Sequence, residues 1–340
     1  MMTDAPAERS TITVSAPSRI HFGLIAIGDQ TQRKFGGAGL MVAGPRTVVT
    51  LSPSDRLNLL FNAQADDCAT RAVARWHEKF APSEIGNLPL EQLPVSVTCL
   101  PTGRHQGLGS GTQISFCIAA ALHQFFCGAV PSATELAFAM NRGQRSAIGS
   151  HGFFRGGFLV DRGFAESDKK LAPLDVQTAF PDSWRVVLIQ PDPESDSNPP
   201  LHGQEEVSAF ENLEPTSQRE AEGMIRLLNE SIVPAVVGAD FQTFAGATTE
   251  FGYRSGLYYR KVQGGAYASA WAIEIVRRVS AFGEFAVGQS SWGPTMFAIC
   301  ESEASAGELV AELESGAVGS APLKTEITSA DNNGALWTTV

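Results

Sequence analysis

The chain has little of what usually fixes a protein's class at first reading. Its 340 residues include only five cysteines, at 68, 99, 117, 127 and 300. The number is odd and no C-x-x-C pair occurs, which argues against a disulfide framework and a zinc site. Each thiol reads as a small core residue in a reducing compartment. Charged residues make up only 18%, and the formal net charge is −11. That sign excludes a broad surface for nucleic acid or an anionic membrane, though not a local basic pocket. Long apolar runs are missing too. The best, ISFCIAAALHQFFCGAV at 114–130, is interrupted by His123 and Gln124 and falls short of the ~20 residues a membrane span needs. The start, MMTDAPAERSTITVSAP, lacks the apolar heart of a signal peptide. A soluble, cytoplasmic protein is expected. Two nucleotide signatures are also absent. There is no G-x-x-x-x-G-K-[ST], and no G-x-G-x-x-G with an acidic residue about 20 positions on.

What is present is ample core material, with 43% hydrophobic residues, and a mixed order of elements. TITVSAP, stopping at Pro17, RTVVTLSPS, stopping at Pro53, and LPVSVTCLP read as strands. Residues 69–80 read as an amphipathic helix. An apolar helix follows Gly107–Gln113 and ends near Gly128. The next is announced by Ser132 with Glu135 three residues on, a capping box, and closed by Gly143. GGFLVDRG is a short strand or hairpin. After the strand Trp184–Gln190 comes a loop rich in Pro, Asp and Ser. Then follow a helix disrupted at Pro234, a helix closed by Gly283, the strand MFAICES and a late helix. This order predicts an α+β protein of two lobes, 1–183 and 184–340.

The densest chemical signal is GLGSGTQ at Gly107–Gln113, set directly before the apolar helix. Glycines let a ligand approach the main chain, and a helix start offers unpaired N–H groups and partial positive charge. Together they make a candidate phosphate cradle. Gly107, Gly109, Ser110, Gly111, Thr112 and Gln113 are its members, and the alternative is a plain loop and cap. Basic residues gather near the motifs of this acidic chain: Arg19, Arg33, Lys34, Arg104, His105, Arg142, Arg145 and Arg155. Arginine binds phosphate or carboxylate through paired hydrogen bonds.

APSRIHFGLI, PTGRHQGLGSGTQ and GQSSWGPTMFAI stand in the order and at about the spacing of the three motifs of the GHMP kinase superfamily. The middle one resembles its P-x-x-x-G-L-G-S-S phosphate loop, with Gly111 in place of the second serine. With RGQRSAIGSHGFFRGGFLVD added, the four stretches resemble the β-ribofuranosylaminobenzene 5′-phosphate synthases within that superfamily. The resemblance implies a two-domain GHMP kinase-like fold with the ligand cleft between the lobes. It implies an enzyme of tetrahydromethanopterin biosynthesis, a decarboxylating phosphoribosyltransferase. Such an enzyme joins phosphoribosyl pyrophosphate to an aromatic acid (4-aminobenzoate or 4-hydroxybenzoate) and releases CO2 and pyrophosphate. Mg2+ and a homodimer are further expectations, with no nucleic-acid or membrane partner. Kinases of the superfamily commonly carry an Asp in the segment matching RSAIGSHGFF, and here that segment has no acid. Asp161, ten residues beyond His151, is the next acid and is read as a strand-end residue. The gap weakens an ATP-dependent kinase, which remains the alternative together with a non-catalytic phosphosugar- or nucleotide-binding protein.

On this resemblance Arg19, His21 and Arg145 are the expected catalytic residues. Ser18, Ser146, His151, Gln289, Ser290, Ser291 and Trp292 join the loop residues in binding substrate. Trp292 either stacks on the aromatic acid or fills core. Glu205 and Glu206 are candidate Mg2+ ligands or, alternatively, a charged helix start.

Overall fold

Pro17 does not end the first strand. In the computed structural model, which describes residues 10–61, 66–100, 106–165, 171–192, 213–316 and 323–340, β1 runs on from Ile12 to Ala26. Its pairing with β2 (Phe35–Pro53) shifts register between Ala16 and Ser18, and again between His21 and Gly23. A proline has no N–H to give a ladder, so it is tolerated at such a break. Bulges also re-aim the side chains beside them, and those beside these two breaks are Ser18, Arg19, His21 and Phe22. FGGAG at 35–39 forms the start of β2.

The first sheet has the order β11-β1-β2-β4-β3, with β3 at Asn58–Phe61, β4 at Val95–Leu100 and β11 at Leu336–Thr339. β5 (Phe158–Asp161) pairs with the first half of β2, and β6 (Leu174–Thr178) pairs with β5. The second sheet has the order β10-β7-β9-β8, from Leu323–Thr328, Arg185–Pro191, Met296–Cys300 and Ala286–Gln289. The longer helices are α1 (Asp66–Phe80), α2 (Ser110–Cys127), α3 (Ala133–Met140), α4 (Ile148–Arg155), α5 (Gln218–Leu227), α6 (Phe241–Leu257), α7 (Ala270–Phe282) and α8 (Glu303–Ser315).

Local chemistry sets these boundaries. α2 is buried nearly all round and ends at Gly128, whose left-handed φ of 70° closes it. Ser132 and Glu135 form the expected capping box of α3. Asn141, with φ of 53°, and not Gly143, ends that helix. Pro234 does not break its helix either. The chain widens into a π turn at Leu228–Ile232, and the proline then sits in the first turn of the next helical segment, where its missing N–H costs nothing.

One apolar cluster spans both sheets. Ile20, Phe22 and Phe158 from the first meet Leu188 and Phe297 from the second, with Phe244 of α6 between them. The Phe22 ring lies 6.0 Å from Phe158, 5.3 Å from Phe297 and 6.2 Å from Phe244. Such a seam fixes the two sheets against each other, because truncating a buried Phe costs about 3–5 kcal/mol. His21 is the next residue, so the seam also fixes what lies beside it.

Candidate active site

Three distant stretches of sequence meet at Ser290. This serine is fully buried. Its hydroxyl donates to the Gly107 carbonyl at 2.7 Å and accepts from the His21 N–H at 3.0 Å. The Arg19 N–H donates to the Leu108 carbonyl at 2.9 Å. The first motif, the glycine-rich loop and the QSSW turn are therefore one hydrogen-bonded unit. The glycines serve that union. Gly107 has φ of +77°, and a Cβ there would stand 2.3 Å from the Ser290 carbonyl oxygen. Gly109 has φ of +73°, and a Cβ there would stand 3.3 Å from Arg19 Cβ and Nε. α2 then begins with no side-chain cap and no acid in its first turn, so its positive end keeps its full effect.

Beside this unit opens a cleft of about 260 Å³. Arg19, His21 and Phe22 of β1 form one wall, with Thr112 of α2 and the Asn141–Ser146 turn next to them. Gly252, Ser255 and Gly256 of α6 adjoin β1, the Ser255 hydroxyl accepting the Leu24 N–H at 2.7 Å, and Tyr259, Gln263, Tyr267, Gln289, Ser291 and Trp292 complete the lining. Arg19, Arg142 and Arg145 line the cleft, and among the described residues no carboxylate does. In a chain of net charge −11, this is a locally positive cavity suited to an anionic ligand.

The most connected chemistry runs inward from His21, which is 5% exposed. Its Nε2 lies 2.9 Å from Ser146 Oγ. That hydroxyl donates to Asp161 Oδ2 at 3.1 Å. The same carboxylate accepts the Ala147 N–H at 2.9 Å on Oδ2 and the Gly163 N–H at 3.0 Å on Oδ1. Asp161 is wholly buried. Burial pushes its pKa up to about 6, against the pull of these donors and of Arg19. Burial first, and the nearby Arg19 charge second, hold His21 well below the usual histidine value. The imidazole is therefore neutral near pH 7. Above Asp161's pKa, the single serine hydrogen points to the carboxylate. Nε2 must then carry the imidazole hydrogen and donate it to Ser146, leaving a lone pair on Nδ1.

The structure distributes the sequence candidates unevenly. Arg19, His21, Thr112, Arg145, Ser146, Gln289, Ser291 and Trp292 are brought together in the cleft lining. Gly107, Gly109 and Ser290 lie immediately behind it. Gln289 is held by the Ala268 N–H at 2.8 Å and the Ser291 carbonyl at 3.0 Å. Trp292 meets Tyr259 edge-on at 4.6 Å. Ser110 is buried in the first turn of α2, and Gly111 faces Arg142. Three further candidates outside the lining make bonds of their own elsewhere. The Ser18 hydroxyl bonds the Pro45 carbonyl at 2.6 Å, pinning the first bulge. Gln113 is buried, with its Nε2 on the Gly149 carbonyl at 3.1 Å. His151 turns its Nε2 to the Ala172 carbonyl at 2.9 Å. Glu205 and Glu206 lie outside the described residues. Sequence reasoning passed over Ser255, Tyr259, Gln263 and Tyr267. The signal was FGYRSGLYYRKVQGGAY, where aromatics and glycines alternate with polar residues.

Comparison with known proteins accords with this arrangement. Residues 240–318 match the family model described as GHMP kinases C terminal. A solved homoserine kinase from Cytophaga hutchinsonii superposes with a TM-score of 0.63 at 15% identity, over 99% of this chain and all of that one. The fold is GHMP kinase-like. Within that fold the chain is 28% identical over 307 residues to a β-ribofuranosylphenol 5′-phosphate synthase of Archaeoglobus fulgidus, covering 86% of this chain and 89% of the relative. It is 25% identical over 301 residues to the protein of the same name from Methanothermobacter thermautotrophicus, covering 85% and 89%. The cleft is thus built on a kinase-like scaffold, but its described lining offers none of the carboxylates with which a kinase activates an attacking hydroxyl.

Proposed function

We propose that this enzyme is a β-ribofuranosylphenol 5′-phosphate synthase, a decarboxylating phosphoribosyltransferase that joins phosphoribosyl pyrophosphate to 4-hydroxybenzoate or 4-aminobenzoate. The carrying observation is the composition of the cleft as its described residues form it: three arginines, a neutral buried histidine, aromatic rings from Tyr259, Tyr267 and Trp292, and among those residues no carboxylate. The ring carbon bearing the carboxylate bonds to the anomeric carbon of the ribose as the bond to pyrophosphate breaks. Loss of CO2 returns the electron pair to the ring and restores aromaticity. No proton has to be taken from an attacking hydroxyl, so a cleft without a carboxylate base is sufficient. The work left to the protein is positioning and charge stabilisation. Arg19, Arg145 and the uncapped start of α2 face the phosphates, and the aromatic wall faces the acid. The relatives are named for a phenol product, which favours the hydroxylated acid over its amino analogue.

The candidate Mg2+ ligands Glu205 and Glu206 lie outside the described residues. The described residues contain no cluster of three metal-ligating side chains, and Asp161 is enclosed by its own donors. On this reading Mg2+ enters with the pyrophosphate oxygens, as this ion commonly does.

The test is CO2 release from each carboxyl-labelled acid, with phosphoribosyl pyrophosphate and Mg2+ omitted in turn. Release that needs both organic substrates is expected. ATP turnover with a small alcohol and no CO2 release would replace this reading with a kinase.

A further inference from the structure

Behind the glycine-rich loop lies a second cavity, of about 190 Å³. Cys68, Arg71 and Arg75 of α1 line it, with Ser115 of α2 and the turn residues Asn141 and Arg142. Those last two also face the cleft, so the two cavities share a wall. Among the described residues no carboxylate lines the second cavity, and none of the three arginines has an ion-pair partner there.

Arg142 is held inward. Its Nη2 lies 3.2 Å from both Cys68 Sγ and Ser115 Oγ. Its Nε is shut off from solvent and meets no hydrogen-bond acceptor among the described residues. Arg75 uses Nη1 on the Met140 carbonyl and keeps its other donors. Burial and the neighbouring Arg75 and Arg71 charges lower the Arg142 pKa. Three like charges round one cavity disfavour each other, and a bound anion would reverse the sign of that interaction. Guanidinium forks suit a tetrahedral oxyanion carrying two or more charges.

Gly111 belongs to the same construction. A Cβ there would stand 3.2 Å from Arg142 Nη1. A serine, as in the loop this one resembles, would press on the guanidinium, so the glycine keeps Arg142 in place between the two cavities.

We propose that this arginine-lined cavity is a second anion site, taking a phosphate-class group. The group is either one end of a substrate lying across the Arg142 wall or a free phosphate ion.

The first arm of the test titrates inorganic phosphate into the folded protein by calorimetry. Arg71→Glu reverses an exposed charge without removing a buried bond, Arg75→Lys is a second variant, and Arg145→Ala reports on the cleft. The wild type should bind phosphate at a site that weakens at least tenfold in Arg71→Glu and survives in Arg145→Ala. Equal affinity in the wild type, Arg71→Glu and Arg75→Lys would overturn the proposal. The second arm repeats the titration with phosphoribosyl pyrophosphate present, and it alone rests on the function proposed above. Loss of the phosphate site assigns it to one end of that substrate, and its persistence assigns it to a free ion. Failure of phosphoribosyl pyrophosphate to bind would refute the proposed function, while the first arm still decides the second site.

Discussion

Replacing Asp161 by asparagine removes one buried charge and leaves the shape. The wild-type carboxyl is raised from 3.8 to about 6. That difference, 6 − 3.8, at about 1.36 kcal/mol per unit, is ~3 kcal/mol. The sign follows from which state holds the proton. Between pH 3.8 and 6 the folded protein keeps a proton that the unfolded chain has released. Stability is therefore higher on the acid side and falls as pH rises through this window. The amide that replaces the carboxyl does not titrate. The stability of Asp161→Asn relative to wild type should accordingly rise by ~3 kcal/mol between about pH 4 and 7. A pH-independent loss of about 1–3 kcal/mol works against the variant, because an amide group must face an N–H that Asp161 now accepts. The slope of the difference is thus the diagnostic, read from urea unfolding at several pH values. Parallel curves for the two proteins would refute the reasoning. The same variant has a spectroscopic consequence. The introduced amide, donating an N–H to Ser146, lets that hydroxyl turn toward His21 Nε2, moving the imidazole hydrogen to Nδ1. Nitrogen-15 shifts of His21 should report the switch, with a fall in kcat.

Other perturbations test the construction of the site. Gly107→Ala places a methyl 2.3 Å from the Ser290 carbonyl at a φ of +77°, and should cost at least the ~1–3 kcal/mol of a strained backbone position, measured by denaturant unfolding. Ser290→Ala leaves the buried His21 N–H without its acceptor; a loss of about 1–3 kcal/mol is expected, with a rise in KM as the three stretches loosen. His151→Ala should lower the melting temperature and leave KM unchanged, since its ring nitrogen serves the Ala172 carbonyl and not the cleft; a tenfold rise in KM would put it back in the site.

Much of this was legible in the chain. The capping box at Ser132 and Glu135, the glycine stop at 128 and the buried α2 follow from local rules and occur as expected. Two proline stops did not. At Pro17 the long neighbour β2 carries the strand across a bulge, and at Pro234 a π turn absorbs the break, so tertiary pairing outweighed local preference. The motifs converged because each contains a residue that bonds another motif, such as Ser290 with Gly107 and His21. Spacing in sequence cannot reveal those bonds. Asp161 was hidden for a related reason. A strand-end acid looks like any surface carboxylate until the fold closes over it.

The closing strand has a consequence for motion. β10 belongs to the second sheet, yet β11 returns to pair with β1, and Thr11 and Val340 exchange hydrogen bonds of 2.8 and 3.0 Å. The backbone therefore passes between the sheets twice, once between β6 and β7 and again between β10 and β11. Any opening of the cleft has to bend both strands of this double tether together, which favours a rocking motion about their common line over a free swing.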